Sequence, residues 1–349
     1  MKRDAAISLN KNKKRVAVVI LNWNGAELLS RFVPILLQHT PTDLADIVVA
    51  DNGSTDHSIE LLQSHFPTVA ILAFDRNYGF AEGYNQAIRQ LPYELVVLLN
   101  SDVEVTANWL QPLVDRLDAD PVIAAVQPKI RSLRHPEQFE YAGACGGFLD
   151  HYGYPFCRGR ILGEVETDLG QYDSPVELLW GSGACLLIRT AVYLNEGGLD
   201  GRFFAHQEEI DLCWRLNCRG YRILVEPASH IFHLGAATLS AESPRKTLLN
   251  YRNNLLMLYK NLPEARLKST LRLRWWLDRL AALQLLLSGK PANARALLQG
   301  RREYRRMRGE YRSVREENLR RAMVELPQTI YRKSLLRAFL FGRRRYSDL

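Results

Sequence analysis

The chain has 349 residues, of which 47% are hydrophobic, and its formal net charge is +8. These values exclude wholesale disorder and leave room for one large domain with an appendage, or for two domains. The charge is uneven, because residues 251–349 hold 24 lysines and arginines against 8 acids, a net +16, whereas residues 1–250 carry a net −8. This split predicts a basic segment directed at an anionic partner, either lipid headgroups or nucleic acid.

The N-terminal segment and the cysteines indicate the compartment. Residues 1–14 form a charged tail without the apolar run of a secretory signal. The longest late apolar run, residues 280–289, is shorter than the roughly 20 residues that cross a bilayer. Five cysteines without CxxC spacing are expected to be reduced thiols. We therefore expect a cytoplasmic protein that does not cross a membrane.

Strand and helix patterns alternate from residue 16 onward. Continuous apolar runs rich in β-branched residues are typical of parallel strands inside a sheet, and helical periodicity lies between them. The predicted strands are 16–21, 46–50, 69–74, 95–99 and 123–126, and the predicted helices include 26–38, 85–90 and 109–117. The alternation predicts an α/β fold with a mostly parallel, Rossmann-like sheet.

Polar residues follow three of these strands, namely Asn22, Asp51 and the tripeptide Asn100-Ser101-Asp102. In open α/β sheets, ligands bind beyond the carboxyl ends of the strands, so Asp102 is a candidate metal ligand, although Asn, Ser and Asp also favour a plain turn. Asp51 could accept hydrogen bonds from a base or ribose, or it could serve in a turn or helix cap. The first turn, NWNGAE, lacks GxGxxG, and a nicotinamide cofactor is therefore not expected.

The alternation stops after residue 126. Residues 131–175 favour loops and short antiparallel strands, which would form a wall over the sheet. The glycines of Gly181-Ser182-Gly183 would let the backbone pass close to a ligand, or merely permit a tight turn. Beyond a strand predicted at 221–227, His233 is either a satisfied core histidine or, with Asp102, a ligand of manganese or a similar ion.

Three acids lie at the start of a helix predicted within residues 203–219. Asp211 precedes Arg215 by four residues, and we interpret this pair as structural and on the surface. Glu208 and Glu209 lie nearest the helix entrance, where either could face a cleft as a general base. Acids at this position are also expected from the helix macrodipole.

Seven segments, taken together and in order, resemble the GT-A nucleotide-sugar glycosyltransferases, specifically the inverting family 2 and its rhamnosyltransferase-like bacterial branch. The segments are VVILNWNG (18–25), VVADNGSTDHS (48–58), RNYGFAEGYNQAI (76–88), LLNSDVEV (98–105), GSGACLLIR (181–189), FFAHQEEIDLCWRL (203–216) and HLGAATL (233–239). The resemblance covers about residues 15–240. It implies a UDP- or dTDP-sugar donor, a glycan or polyprenyl-linked acceptor, and a single displacement that inverts the anomeric carbon.

The resemblance also implies roles for particular residues. The nucleotide would lie near Asn22, Asp51, Asn77, Gly79 and Asn85. The tripeptide Asn100-Ser101-Asp102 falls on the family's DxD motif, which implies that Asp102, completed by His233, binds a divalent Mn or Mg ion and the diphosphate. Asn100 replaces the first acid of that motif, and the lost charge could weaken metal binding.

The same resemblance assigns the chemistry at the acceptor end. EEID stands where many relatives have EDVD, so Glu209 falls on the position of the catalytic base, and Glu208 stays an alternative. The acceptor side would be lined by Trp180, Gly181, Ser182 and Gly183.

The basic C-terminal region is predicted to be helical. Residues 247–262 are amphipathic and are expected to pack on the catalytic domain. An apolar stripe at helical spacing follows, formed by Leu273, Trp276, Leu277, Leu280, Leu283 and Leu287. Such a stripe either covers a core or lies in a membrane interface, and its tryptophans, flanking arginines and the nine arginines of residues 301–321 favour the second. A purely intramolecular or oligomeric role is the alternative, and nucleic acid is not expected because no reader motif is present.

These observations divide the chain into a tail (1–14), a GT-A domain (15–240) and a basic helical region (241–349). We expect a metal-dependent, inverting glycosyltransferase of surface-polysaccharide synthesis at the inner face of the cell membrane. The alternatives are a sugar nucleotidyltransferase, whose glycine- and lysine-rich N-terminal loop is missing, and a non-catalytic nucleotide-sugar or glycan-binding module with the same fold.

Overall fold

A computed structural model describes residues 14–235 and 243–349. The predicted tail 1–14, except Lys14, and the end of the HLGAATL segment, residues 236–239, lie outside the described residues. The strands are β1 (Val16–Asn22), β2 (Ala45–Asp51), β3 (Ala70–Ala73), β4 (Leu95–Leu99), β5 (Val103–Val105), β6 (Ile123–Ser132), β7 (Gly147–Leu149), β8 (Pro155–Cys157), β9 (Arg160–Ile161), β10 (Glu164–Val165), β11 (Val176–Glu177), β12 (Cys185–Arg189) and β13 (Arg222–His233). The helices are α1 (Ala26–His39), α2 (Ser58–His65), α3 (Gly79–Arg89), α4 (Gln111–Asp118), α5 (Thr190–Asn195), α6 (Glu208–Cys218), α7 (Pro244–Asn261), α8 (Glu264–Leu287), α9 (Pro291–Met307), α10 (Arg312–Arg321) and α11 (Leu335–Leu340).

The central sheet has nine strands within the described ranges, in the order β11-β13-β6-β12-β4-β1-β2-β3, with β5 paired to β13. The strands β3, β2, β1 and β4 are parallel neighbours, and β6 is parallel to β13. Strand β12 runs antiparallel between β4 and β6. Most strands therefore run in one direction, which confirms the predicted α/β fold with a mostly parallel sheet. Strands β7 to β10 form a separate antiparallel sheet, within the region predicted to hold such strands.

Both faces of the central sheet are covered, as expected for a parallel sheet. Along β1, Val16, Val18 and Ile20 join one buried apolar cluster, whereas Ala17 and Val19 join the other. Successive side chains of a strand point to opposite faces, so each strand contributes to both clusters. Because helices cover the two faces, ligands can reach these parallel strands only at their ends.

Helix α3 begins earlier than predicted, at Gly79 rather than Asn85. Two backbone N–H groups of its first turn, those of Phe80 and Ala81, donate to the carbonyl of Phe204 at 2.7 and 3.2 Å. The first turn of a helix has no partners for these groups within the helix. A contact with a loop more than one hundred residues later supplies them, and local periodicity does not reveal it.

The prediction that Asp211 and Arg215 form a surface pair is wrong about their exposure. Asp211 is fully buried, and its carboxylate bonds Arg215 at 3.1 Å, Lys260 at 2.7 Å and Asn261 at 2.8 Å. Burial alone would raise the pKa of Asp211, but the charges of Lys260 and Arg215 and the bonds they form lower it overall. The pair is buried because helix α7, which carries Lys260 and Asn261, packs against α6.

The C-terminal helices differ in how they use their apolar faces. Helix α7 packs on the preceding domain as predicted, with Leu255 and Leu258 inside the same cluster as β1. In α8, by contrast, the buried residues include Arg274 and Asp278, which form an ion pair at 3.3 Å. The predicted stripe lies on the other face, where Trp276 and Leu287 are 60% and 80% exposed. Over the described ranges, no helix combines the length and apolar character needed to span a membrane.

Candidate active site

The carboxyl ends of β1 and β2 bring Asn22 and Asp51 together. The two residues are register partners, and the Asn22 side-chain nitrogen donates to Asp51 Oδ2 at 2.9 Å. The other oxygen, Asp51 Oδ1, accepts from the backbone N–H of Ser54 at 2.9 Å. Asn22 Oδ1 is buried without a hydrogen-bond partner among the described residues. A buried polar atom of this kind is the expected mark of a site whose ligand completes the bonding.

Asn52, which the sequence reasoning missed, holds the neighbouring loop against this strand end. Its side-chain nitrogen donates to Asn77 Oδ1 and to the carbonyl of Gly79, both at 3.1 Å, and its oxygen accepts from the N–H of Tyr78 at 3.0 Å. Gly79 has a φ of 80°, and a Cβ there would lie 2.5 Å from the ring of Phe204. Only glycine fits this backbone and this contact. Asn77 and Gly79 therefore lie at the same edge as Asp51, as predicted.

Asn85 is used differently from the role the resemblance implies. Its side-chain oxygen accepts from the Tyr193 hydroxyl at 2.7 Å and from the Leu199 N–H at 3.0 Å. Its nitrogen donates to the Leu199 carbonyl at 2.8 Å and to Glu82 at 3.0 Å. The amide is thus fully engaged in joining α3 to the segment after α5. Its contribution to a nucleotide site would be indirect.

Asp102 and His233 meet beyond the end of β4, where β5 pairs with β13. His233 Nε2 lies 3.1 Å from Asp102 Oδ1 and 3.4 Å from the side-chain nitrogen of Asn100. On the other side of the ring, Nδ1 lies 3.5 Å from Oε1 of Glu140. All three of Asp102, His233 and Glu140 are buried. Burial lowers the pKa of His233, but the two carboxylates outweigh burial and raise it to about 10.

These residues fit a divalent ion that a phosphate ligand would share. Imidazole Nε2 and carboxylate Oδ1 lie side by side, and Glu140 stands behind the imidazole as the carboxylates of many metal-binding histidines do. In the described part of the chain, no group of three or more His, Cys, Asp and Glu is placed to hold a metal. Magnesium is commonly held by only one or two protein carboxylates together with substrate phosphates. The donor set therefore suits an ion that binds with its nucleotide.

Glu208 and Glu209 begin α6, and each has a buried carboxylate oxygen without a hydrogen-bond partner in the residues described. Burial, with the neighbouring charge of Glu209, raises the pKa of Glu208 well above its ordinary value. Burial also raises the pKa of Glu209 to about 7. Glu208 is 4% exposed, whereas Glu209 is half-buried, with its Cβ 4.0 Å from where a Cβ on Gly183 would lie. Glu209 is therefore the acid that borders the glycine segment.

Segment 181–184 contacts both acidic parts of the site, the one around Asp102 and the one around Glu209. The N–H of Asn100 donates to the carbonyl of Ala184 at 3.0 Å, which ties this segment to the Asp102 side. Its other side borders Glu209 through Gly183. Ser182 is fixed by a bond from its N–H to Gln127 Oε1 at 2.7 Å and from its hydroxyl to a backbone carbonyl. Asn100, two residues before Asp102, and Glu209 thus both lie against one short stretch of backbone.

Trp180, predicted to line the acceptor side, is buried and is anchored on the antiparallel sheet. Its indole N–H donates to the carbonyl of Phe148 at 3.0 Å, and its carbonyl accepts from Gly147. Its ring lies directly against Gly147, because a Cβ on that glycine would be only 2.0 Å from the indole. The indole therefore joins the glycine segment to the wall formed by β7 and β8.

The turn that leads into α6 is strained and is held by α7. Phe204, His206 and Gln207 all have positive φ, at 67°, 71° and 73°, a conformation that costs non-glycine residues about 1–3 kcal/mol each. The side-chain nitrogen of the fully buried Asn253 lies 2.8–3.0 Å from three carbonyl oxygens of this turn, those of Phe203, Ala205 and His206. Asn253 therefore fixes the backbone immediately before Glu208 and Glu209.

Four residues of this site were missed from the sequence, namely Asn52, Gln127, Glu140 and Asn253. Asn52 directly follows Asp51 at a polar strand end, so its position was a usable signal. The other three lie in a strand, a loop and an amphipathic helix with no motif around them. Their partners are far along the chain, and local patterns do not report such contacts.

The open α/β sheet places a carboxylate and imidazole pair beyond its strand ends, and comparisons with known proteins add to this geometry. The family model described as "Glycosyl transferase family 2" matches residues 17–151. The chain therefore carries a family 2 glycosyltransferase domain, as the seven sequence segments predicted.

Two curated relatives give the scale of the similarity. The chain is 28% identical over 233 residues to the O-antigen biosynthesis protein RfbC of Myxococcus xanthus, covering 66% of this chain and only 18% of that protein. It is 26% identical over 260 residues to the N-acetylglucosaminyl-diphospho-decaprenol L-rhamnosyltransferase of Mycobacterium tuberculosis, covering 69% of this chain and 83% of that protein. The chain thus spans less than a fifth of the first relative and most of the second.

Solved structures agree on the fold. GalNAc-T7, crystallised with UDP, GalNAc and Mn2+, superposes with a TM-score of 0.57 at 17% identity, covering 87% of this chain and 57% of that one. The mannosyltransferase PcManGT of Pyrobaculum calidifontis, in complex with GDP-Man and Mn2+, gives 0.52 at 16% identity, covering 91% and 86%. At these identities the likeness establishes the GT-A fold alone.

Proposed function

We propose that this protein is an inverting glycosyltransferase that moves a sugar from a UDP- or dTDP-sugar to a hydroxyl of a glycan or lipid-linked acceptor. The observation that carries the proposal is the pairing of Asp102 with His233 beyond the strand ends, together with the contacts of Asn100 and Glu209 with segment 181–184. The family 2 domain supports it, as do the names of the relatives in O-antigen and decaprenol-linked sugar synthesis.

In this proposal the nucleotide lies at the ends of β1 and β2. Asn22 Oδ1, which has no partner in the described chain, and the carboxylate of Asp51 accept hydrogen bonds from the base or ribose. Asn77 and Gly79, fixed by Asn52, form the floor beside them. Because these groups are already positioned by the strands, binding costs little additional ordering.

The diphosphate lies at the end of β4, beside Asn100, Ser101 and Asp102. A divalent ion held by Asp102 and His233 would offset the negative charge that accumulates on the departing diphosphate. Glu140, 3.5 Å from His233 Nδ1, would favour a proton on Nδ1, so that an ion binding at Nε2 would displace only the second proton of the imidazolium. The amide of Asn100 adds a neutral polar contact where the family's motif has an acid.

Glu209 acts as the general base. Its carboxylate accepts the proton of the acceptor hydroxyl while that oxygen attacks the anomeric carbon and the bond to the diphosphate breaks. One displacement inverts the configuration, and no protein nucleophile is required. A pKa of about 7 suits a base that works near neutral pH, and burial together with the charge of Glu209 also raises the pKa of the adjacent Glu208.

The basic helices are proposed to contact an anionic membrane surface, where lipid-linked acceptors reside. Helix α8 turns its ion pair Arg274–Asp278 toward the protein, and its apolar stripe faces outward. Arg274 is satisfied inside by Asn254 at 2.6 Å and by the ring of Tyr154 at 4.1 Å. A helix whose apolar face is left exposed in this way is typical of an interfacial helix.

The groove between α8 and α9 supplies the charge that such a surface requires. Leucine side chains of α8 form one wall, and Arg295, Arg302 and Arg305 of α9 form the other. Within the described ranges, none of these three arginines forms a salt bridge with a carboxylate. Unpaired arginines beside exposed leucines suit the boundary between lipid headgroups and acyl chains.

The test of function is a transfer assay with a panel of UDP- and dTDP-sugars, manganese or magnesium, and lipid-linked acceptors. We expect transfer with one donor, with inversion, and its loss in Asp102→Ala and Glu209→Gln. Glu208→Gln is the matched control and should keep most of the activity. Donor binding without transfer or hydrolysis under any condition would instead indicate a non-catalytic binding module and would refute the proposal.

A further inference from the structure

A second cavity lies outside the proposed transfer site, between the loop after β7 and the C-terminal segment. It has a volume of about 570 Å³ and is lined by His151 and Tyr152 on one side and by residues between 331 and 343 on the other. None of the residues proposed for donor binding or catalysis lines it. Its function is therefore separate from the transfer reaction.

The cavity is strongly basic. Four cationic side chains line it, namely those of Arg332, Lys333, Arg337 and Arg343. In the part of the chain that the structure describes, none of these four forms a salt bridge with a carboxylate. Clustered cations without counter-charges repel each other, and an anion that binds among them removes this repulsion.

The positive charge of this region also affects the pKa values of two neighbouring side chains, Arg266 and His151. Burial and repulsion from Arg332 lower the pKa of Arg266, and burial and the charge of Arg266 lower the pKa of His151. Asp150 is the acid next to His151 in the chain. It is 2% exposed, and its carboxylate accepts from the backbone N–H groups of Tyr152 and Leu335. It is turned to the backbone and does not neutralise the cavity.

Two further features indicate what kind of anion fits. The four cationic side chains offer several N–H donors, which match an oxyanion with several acceptor oxygens. Phe341 also lines the cavity, and both it and its neighbour Leu340 are 75% exposed. An apolar rim beside a basic cavity suits a phosphate that is attached to a lipid.

We propose that this cavity is a binding site for phosphate-bearing anions, either lipid headgroups or free phosphate compounds. The three arginines and the lysine supply the charge and the N–H donors. The site would hold the C-terminal segment against the loop after β7, because its lining comes from both. Its occupancy does not depend on the transfer reaction proposed above.

The test compares the full-length protein with a triple variant in which three exposed cations of the cavity are neutralised, Arg332→Gln, Lys333→Gln and Arg337→Gln. A control variant removes the same charge from exposed positions outside both the cavity and the basic C-terminal helices, Arg31→Gln, Arg89→Gln and Arg202→Gln. In one arm, melting temperature is measured with inorganic diphosphate, and in the other, co-sedimentation with vesicles of phosphatidylglycerol and phosphatidylcholine is measured. Transfer activity with a soluble acceptor is followed in all three proteins and should not change.

If free anions occupy the cavity, diphosphate should raise the melting temperature of the wild type and the control by roughly 2–4 °C and leave the triple variant unchanged. If lipid headgroups occupy it, vesicle affinity should fall roughly fivefold for each cation removed from the cavity, and less in the control. Either result supports the site and names the source of the phosphate. Equal behaviour of the triple variant and the control in both arms would overturn the proposal.

Discussion

Asn253 is expected to determine catalytic rate although it lies on α7, outside the family 2 match. Replacing it with alanine removes the side-chain nitrogen that lies within 3.0 Å of the carbonyls of Phe203, Ala205 and His206. The Phe203 carbonyl keeps a second donor, Arg252, at 3.0 Å. The other two carbonyls keep no side-chain donor among the described residues.

The magnitudes decide what this substitution does. A buried acceptor left without a donor costs about 1–3 kcal/mol, so two of them cost a few kcal/mol. The turn stores strain of the same order, because three of its non-glycine residues have positive φ at roughly 1–3 kcal/mol each. Once the bonds are removed, relaxation of the turn is favourable, and the start of α6 moves with it. A displacement of about 1 Å at a reacting group can lower the rate roughly 100-fold.

The assay measures kcat and KM for sugar transfer together with the urea midpoint. We expect Asn253→Ala to lower kcat by about 10- to 100-fold with a smaller change in donor KM, because the donor site is on other elements. Arg189→Ala is the matched control. Arg189 also donates to three backbone carbonyls, those of Leu117, Asp120 and Ile123, but it pairs with Leu95 at the opposite edge of the sheet.

The control should therefore lose stability and keep its kcat. The reasoning is refuted if Asn253→Ala retains kcat within about twofold while its urea midpoint falls, or if both variants lose kcat equally. The first outcome would show that the turn keeps its shape without the asparagine. The second would show a general loss of folding.

Three further predictions follow from the same contacts. Because burial raises the pKa of Glu209 to about 7 and the base must be ionised, kcat/KM should rise with pH through this value and then level off. A profile that is flat between pH 5.5 and 8 would exclude Glu209 as the general base. Asp211→Ala removes one of the two carboxylates that bind the buried Lys260, the other being Asp200 at 2.7 Å, and should lower the free energy of unfolding by about 1–3 kcal/mol in urea titrations; a loss below about 0.5 kcal/mol would contradict the buried network. Replacing Trp276 and Leu287 with serine should reduce co-sedimentation with anionic vesicles without changing stability, and unchanged vesicle binding would refute the docking face on α8.

The sequence by itself determined the layers of the fold and predicted several residues of the candidate site. Apolar runs that end in polar residues report strands and their exposed ends directly, because burial on both faces requires continuous hydrophobicity and only the ends can hold ligands. Asn22, Asp51 and Asp102 were therefore identifiable from their positions alone. The seven segments added the family, and with it Glu209 and His233, whose local patterns were ambiguous.

Only the tertiary structure decided which partners hold these groups and which side chains are buried or exposed. Asp211 reads as a surface acid but is buried, because α7 covers it with Lys260, a partner 49 residues later. The stripe on α8 allows two interpretations, a core face or an interfacial face, and only the structure shows that Trp276 and Leu287 are exposed while Arg274 and Asp278 are buried as an ion pair. Hydrophobic periodicity gives the two faces of a helix, and only packing against distant residues determines which of them is turned inward.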